Sequence, residues 1–227
     1  MWSWPDIDGG ANQAARSGSG STVSTTGTVR RFLEETVRNF ELGGVVDVPC
    51  GDLNWMVHVD GFHELQYFGG DVSSVVIEDH QEAFKDAENT NFGLVDIVAS
   101  DLYSQNSAIR GIFDRRDVNG VVVVVRQLMQ HLSRVECLQV LLNFKELASK
   151  TQTPVYVMLT TYLRGNGNED EEYLLATGHK INLFKYPFCV KDPISMVYDG
   201  VPDMFLGLWK VEEEGILGAF DATRTCL

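Results

Sequence analysis

Apolar residues recur at steps of three and four between positions 28 and 42 (Val29, Phe32, Leu33, Val37, Phe40), the period of a helix with one inward face. Thr28 is the expected N-cap, and Gly43-Gly44 is a fitting stop. A β-branched run follows (Val45, Val46, Val48) and predicts a buried strand. Residues 53–59 read as a short helix, 66–71 as a second strand, and 75–89 as a helix with Val75, Val76, Ala83 and Phe84 inward. A third strand is expected at 92–98. Five consecutive valines at 121–125 mark a central strand buried on both faces. A helix starting at Ser133 sets Val135, Leu138, Leu141, Leu142 and Phe144 along one side. Strands are expected at 154–161 and 205–210, a long polar loop at 162–180, and a short strand or tail at 216–219. Strands alternating with helices predict an α/β fold with a mostly parallel, doubly wound sheet.

In such sheets ligands sit at the carboxyl ends of the strands. The first strand ends in Asp47-Val48-Pro49-Cys50-Gly51-Asp52, where Pro49 stops ladder pairing and Gly51 permits a positive φ or a close backbone approach. A strand, a tight glycine turn and a helix put backbone N–H groups at a ligand. The second strand ends in Asp71, about 24 positions beyond Asp47. An acid at that place accepts two hydrogen bonds from a vicinal diol, as on a ribose. The alternative is that Asp71 only caps the next helix.

Asp-Val-Pro-Cys-Gly-Asp-Leu-Asn-Trp at 47–55 resembles the first motif of class I S-adenosylmethionine-dependent methyltransferases, in the variant that begins Asp-x-Pro-Cys-Gly-Asp. Pro49 and Leu53 replace two glycines of the common form; Gly51 is kept. Tyr67-Phe68-Gly69-Gly70-Asp71 resembles the second motif, and Asp96-Ile97 a position that contacts adenine. Residues 126–132 (Arg-Gln-Leu-Met-Gln-His-Leu) resemble a stretch after the fourth strand, usually Arg-Asp-x-Leu-x-His-Leu; here Gln127 stands where an acid is expected. Asn182-Leu183, Pro187-Phe188 and Leu206-Gly207-Leu208-Trp209 resemble later segments. The likeness runs from about Ser17 to Lys210.

The resemblance implies a seven-stranded, Rossmann-like methyltransferase sheet with an antiparallel last strand, in a single domain over 1–227. It implies S-adenosylmethionine as cofactor, held by Asp47, Pro49, Cys50, Gly51, Asp52, Asn54, Trp55, Asp71, Asp96, Ile97 and Arg126. His131 and Arg126 are the catalytic candidates. Residues 1–27 are a flap near the cofactor, by likeness to a Ser-Gly-x-Gly-Ser segment, or a flexible linker, by their Gly/Ser content. Residues 162–190 form a substrate-side loop region.

Composition narrows the partner. A net charge of −14 argues against a nucleic-acid backbone as partner, since that needs clustered Lys and Arg. No apolar run approaches the roughly 20 residues that span a bilayer. The four cysteines are far apart and form no C-x-x-C pair, so neither a zinc site nor a disulfide framework is expected, and reduced thiols in the cytoplasm are the default. The expected activity is methyl transfer to a small molecule or protein side chain. Two rivals stand beside it: a methyltransferase-like module without turnover, suggested by Gln127, and a nicotinamide-dependent oxidoreductase, opposed by the lack of G-x-G-x-x-G.

Overall fold

A computed structural model describes residues 17–164, 168, 179–217 and 226. Residues 1–16, the acidic run 169–172, most of the expected polar loop and Ala219 lie outside the described residues. The strands are β1 (Gly44–Asp47), β2 (Gln66–Asp71), β3 (Thr90–Leu94), β4 (Val121–Val125), β5 (Val155–Tyr162), β6 (Ser195–Tyr198) and β7 (Met204–Lys210). Among the described residues they form one seven-stranded sheet in the order β3-β2-β1-β4-β5-β7-β6. The first five strands are parallel; β7 runs antiparallel to both β5 and β6. This is the doubly wound sheet expected, with its reversed strand, β7, set between β5 and the edge strand β6.

The valine strand organises the core. Val121, Val123 and Val125 face one apolar layer, and Val122 and Val124 face the other. All five are fully buried, because each face of the sheet carries helices. On the second face lie α1 (Gly27–Asn39), through Val29, Phe32 and Leu33, and α2 (Ser74–Ala83), through Ile77. On the first face lie α3 (Leu102–Gln105), α4 (Ser107–Phe113) and α5 (Arg134–Lys150). A capping box starts α5: Glu136 N–H donates to Ser133 Oγ and Ser133 N–H to Glu136 Oε2. Among the described residues no helix is long and apolar enough to cross a membrane.

Several expectations are corrected. On α2, Val75 is 66% exposed and Ile77 turns inward in its place, while Phe84, at the end of the helix, is buried as expected and Val76 and Ala83 pack partly against the core. On α5, Val135 and Leu142 face solvent, while Cys137, Val140, Leu141, Phe144 and Leu147 are buried. Both phases of that helix offer a three-and-four spacing, and the one that fills the groove wins. Residues 53–59 make only one 3-10 turn, Met56–His58, because Leu53 takes φ +56 and cannot begin a helix. The third strand lies at Thr90–Leu94, and Val95 and Ile97 are buried in the loop beyond it.

The thiols are not all reduced: Cys189 and Cys226 form a disulfide, while Cys50 and Cys137 are free and buried. Spacing along the chain carries no trace of it. The two segments are brought together by the antiparallel bridge of Val190 with Leu217 and by Lys191 N–H donating to Ile216 O at 3.0 Å.

Candidate active site

Strand order reverses between β1 and β4, and there the carboxyl ends of the strands diverge. A cleft of about 240 Å³ opens at this point. Its wall is the turn after β1 (Pro49, Cys50, Gly51, Asp52, Trp55), with Asp47 below it and Asp71 at the end of β2. The opposite wall is Arg126, Gln127, Leu128 and His131, which follow β4; Ser17 and Ser21 also line the cleft.

The turn is tied down by its own backbone. Val48 N–H donates to Val124 O at 2.9 Å, and Cys50 N–H to Gly70 O at 2.8 Å, so the turn prolongs the ladder on both sides. Gly51 takes φ +54, and a Cβ there would lie 2.4 Å from Ser17 Oγ. The left-handed backbone favours glycine, and the close approach to Ser17 requires it. Gly51 N–H donates to Asp71 Oδ2 at 3.2 Å, and Ser73 N–H to Asp71 Oδ1 at 3.0 Å. These two bonds fix the carboxylate at the cleft and leave each oxygen a lone pair. Asp71 is not the cap of α2; Ser73 holds that place.

Residues 17–26 cross the top as a strap. Ser17 and Asp52 bond reciprocally: Ser17 N–H to Asp52 Oδ2 at 3.0 Å, and Asp52 N–H to Ser17 Oγ at 2.9 Å. Asn54 Nδ2 donates to Ser21 O at 3.0 Å, so Asn54 serves the strap and is not among the lining residues. Arg126 Nη2 donates to Gly20 O at 2.7 Å.

Arg126 is engaged on three sides. Besides Gly20, its Nε donates to Asp199 Oδ1 at 2.7 Å, in a pair buried at both ends, and its guanidinium stands 5.5 Å from the centre of the Trp55 ring. Nothing local in the sequence marks Asp199, whose partner lies 73 residues away. Burial raises its pKa, against the lowering effect of Arg126. Gln127 takes φ +55; its N–H donates to Thr160 Oγ1 at 2.9 Å and its side chain packs against Gly20.

Asp47 is buried beneath the cleft and accepts from Tyr67 OH at 3.0 Å. Burial drives its pKa up to about 8, although the tyrosine bond and Arg126 pull the other way. Burial likewise raises the Cys50 thiol, which suits an inert packing thiol. His131 sits on the 3-10 turn Met129–His131, and partial burial and the charge of His179 lower its pKa.

Asp96 and Ile97 are not among the residues that line the cleft. The Asp96 carboxylate accepts from Val98 N–H at 2.9 Å and Ala99 N–H at 3.3 Å, closing its own turn. Ile97 is buried, with its carbonyl accepting from Asn143 Nδ2 at 2.8 Å.

No family model and no curated protein matches the sequence. Solved structures do match. A provisionally assigned methyltransferase from Thermobifida fusca superposes with a TM-score of 0.59 at 12% identity, over 88% of this chain and 82% of that one. The mitomycin 7-O-methyltransferase MmcR gives 0.55 at 13%, over 86% of this chain and 55% of that one. The PH0226 protein from Pyrococcus horikoshii gives 0.54 at 15%, over 82% and 89%. At such identities the likeness is one of fold.

Proposed function

We propose that this chain, which has the class I methyltransferase fold, binds S-adenosylmethionine in the switch-point cleft and transfers its methyl group to an acceptor. The observation that carries the reading is Asp71: a carboxylate at the end of β2, braced by Gly51 N–H and Ser73 N–H at the cleft, suits the two hydroxyls of a ribose. The rest of the lining fits the same group. Asp52 favours a cationic ligand, and Arg126 favours a carboxylate. Bound there, the cofactor supplies a methyl group activated on a sulfonium.

The chain's own part is to bind, orient and exclude water. Trp55 and the strap at Ser17 and Ser21 narrow the cleft. Asp47 carries a proton at neutral pH, and a cation bound above it would favour its ionised form. His131, its pKa lowered, is neutral near pH 7 and placed at the cleft to take a proton from an acceptor hydroxyl or amine.

For the acceptor we favour a small molecule over a protein side chain, and not a nucleic acid, given the charge of −14. Cytoplasmic residence, expected from scattered thiols, requires Cys189–Cys226 to be reduced in the cell. A nicotinamide dinucleotide is disfavoured because Pro49 and the buried Leu53 stand where its pyrophosphate needs glycines.

A module without turnover is the second reading, favoured by Gln127 in place of an acid beside His131. Calorimetry with S-adenosylmethionine, S-adenosylhomocysteine and the nicotinamide dinucleotides tests the cofactor. Labelled methyl transfer into a cell extract tests turnover. Binding of S-adenosylhomocysteine without any labelled product selects the module.

A further inference from the structure

We infer that Asp199 is a positioning residue of this cleft: by holding Arg126 Nε it aims the guanidinium so that Nη2 holds the strap and Nη1 is left for a ligand carboxylate. Asp199 is fully buried on the turn between β6 and β7, 73 residues from Arg126. A guanidinium is a rigid planar fork, so fixing one nitrogen fixes the other two. Nη2 donates to the buried strap residue Gly20 at 2.7 Å. Nη1 has no hydrogen-bond partner among the described residues, and Arg126 lines the cleft. The turn also presses on the strap directly: Gly200 has φ +76, and a Cβ there would lie 2.3 Å from Thr25 O. One turn thus reaches the cleft wall through Arg126 and the strap through Thr25.

The inference deepens the methyl-transfer reading and rests on it in one respect: the carboxylate is that of the cofactor's amino-acid part. Two ligands separate the roles. S-adenosylhomocysteine carries the carboxylate, and 5′-methylthioadenosine lacks it. Asp199→Asn keeps the shape and removes the charge. It is expected to weaken S-adenosylhomocysteine about tenfold or more and to leave 5′-methylthioadenosine within about twofold. It is also expected to speed hydrogen exchange at residues 17–22 in the ligand-free protein. In the double variant with Arg126→Lys the loss should be smaller than the sum of the two single losses, because Asp199 acts on the ligand through Arg126.

Unchanged S-adenosylhomocysteine affinity together with unchanged strap exchange overturns the inference. So does an equal loss for both ligands, or full additivity in the double variant. Should Asp199→Asn fail to fold by circular dichroism, Asp199→Ser, which removes the charge, keeps a polar group and leaves Arg126 in place, takes the same readings. Should the unaltered protein bind neither ligand, the methyl-transfer reading fails, and strap exchange in the ligand-free variants still decides whether Asp199 positions the strap.

Discussion

Asp71 and Gly51 stand 20 residues apart and share one hydrogen bond, yet they should fail in different ways. Asp71→Ala removes acceptors and leaves space. It should weaken S-adenosylmethionine binding by about 1.5–3 kcal/mol, the scale of a hydrogen bond to a charged group. Unchanged affinity in a folded variant would take Asp71 out of the site. Gly51→Val adds branched bulk at φ +54, where a Cβ alone meets Ser17 Oγ at 2.4 Å. The sheet should still fold, while S-adenosylhomocysteine binding is lost; a folded variant with native affinity would contradict the cleft assignment. Both residues were legible, because a glycine turn and an acid at a strand end carry their own physical reasons. Asp199 was not, since its partner lies 73 residues away and nothing local marks it.

Asp47 makes the pH dependence of stability a test at the same scale. Its pKa is 3.8 ordinarily and about 8 in the fold. Between those values the folded protein holds a proton that the unfolded chain has released. Stability therefore falls as pH rises through that window and levels off above about 8. Asp47→Asn has no proton to lose. Urea unfolding from about pH 5 to about pH 8 should show a shallower decline in Asp47→Asn than in the unaltered protein. Parallel profiles would mean that Asp47 is charged in the fold.

Elements were legible where the pattern admits one phase. The valines of β4 are alike on both faces, so no error of phase could arise. On α5 two apolar stripes compete, and only packing into the core layer on that face of the sheet decides between them. The edge strand β6 is partly exposed and lacks an alternating pattern, which hid it. The start of α5 was readable from Ser133, and its capping box makes a measurable claim. Ser133→Ala leaves Glu136 N–H without its acceptor and should cost about 0.5–2 kcal/mol in urea unfolding. The strap is the opposite case: Gly/Ser composition says linker, while its bonds to Asp52, Asn54 and Arg126 hold it over the cleft. If it is the flap we propose, S-adenosylhomocysteine should slow exchange at residues 17–22. Equal, fast exchange with and without ligand would make it a plain linker.

At the scale of the whole molecule, alternating strands and helices were enough to foresee a doubly wound sheet, but tertiary proximity was not written in the spacing of the cysteines. Cys189 and Cys226 are 37 residues apart and meet only because segments 190–191 and 216–217 pair. This is checkable without knowing any ligand. Freshly purified protein, unfolded in urea without reductant, should take up iodoacetamide at Cys50 and Cys137 alone; after reduction all four cysteines should react. Closing a 37-residue loop restricts the unfolded chain, and on the chain-entropy model the cross-link stabilises by about 4 kcal/mol. Reduction should lower the urea midpoint accordingly, and the loss should be absent in a Cys226→Ser variant, which starts without the bond. Four reactive thiols before any reductant would restore the expectation of a fully reduced chain. They would also detach Cys226 from the body of the sheet and return the cytoplasm as the natural compartment.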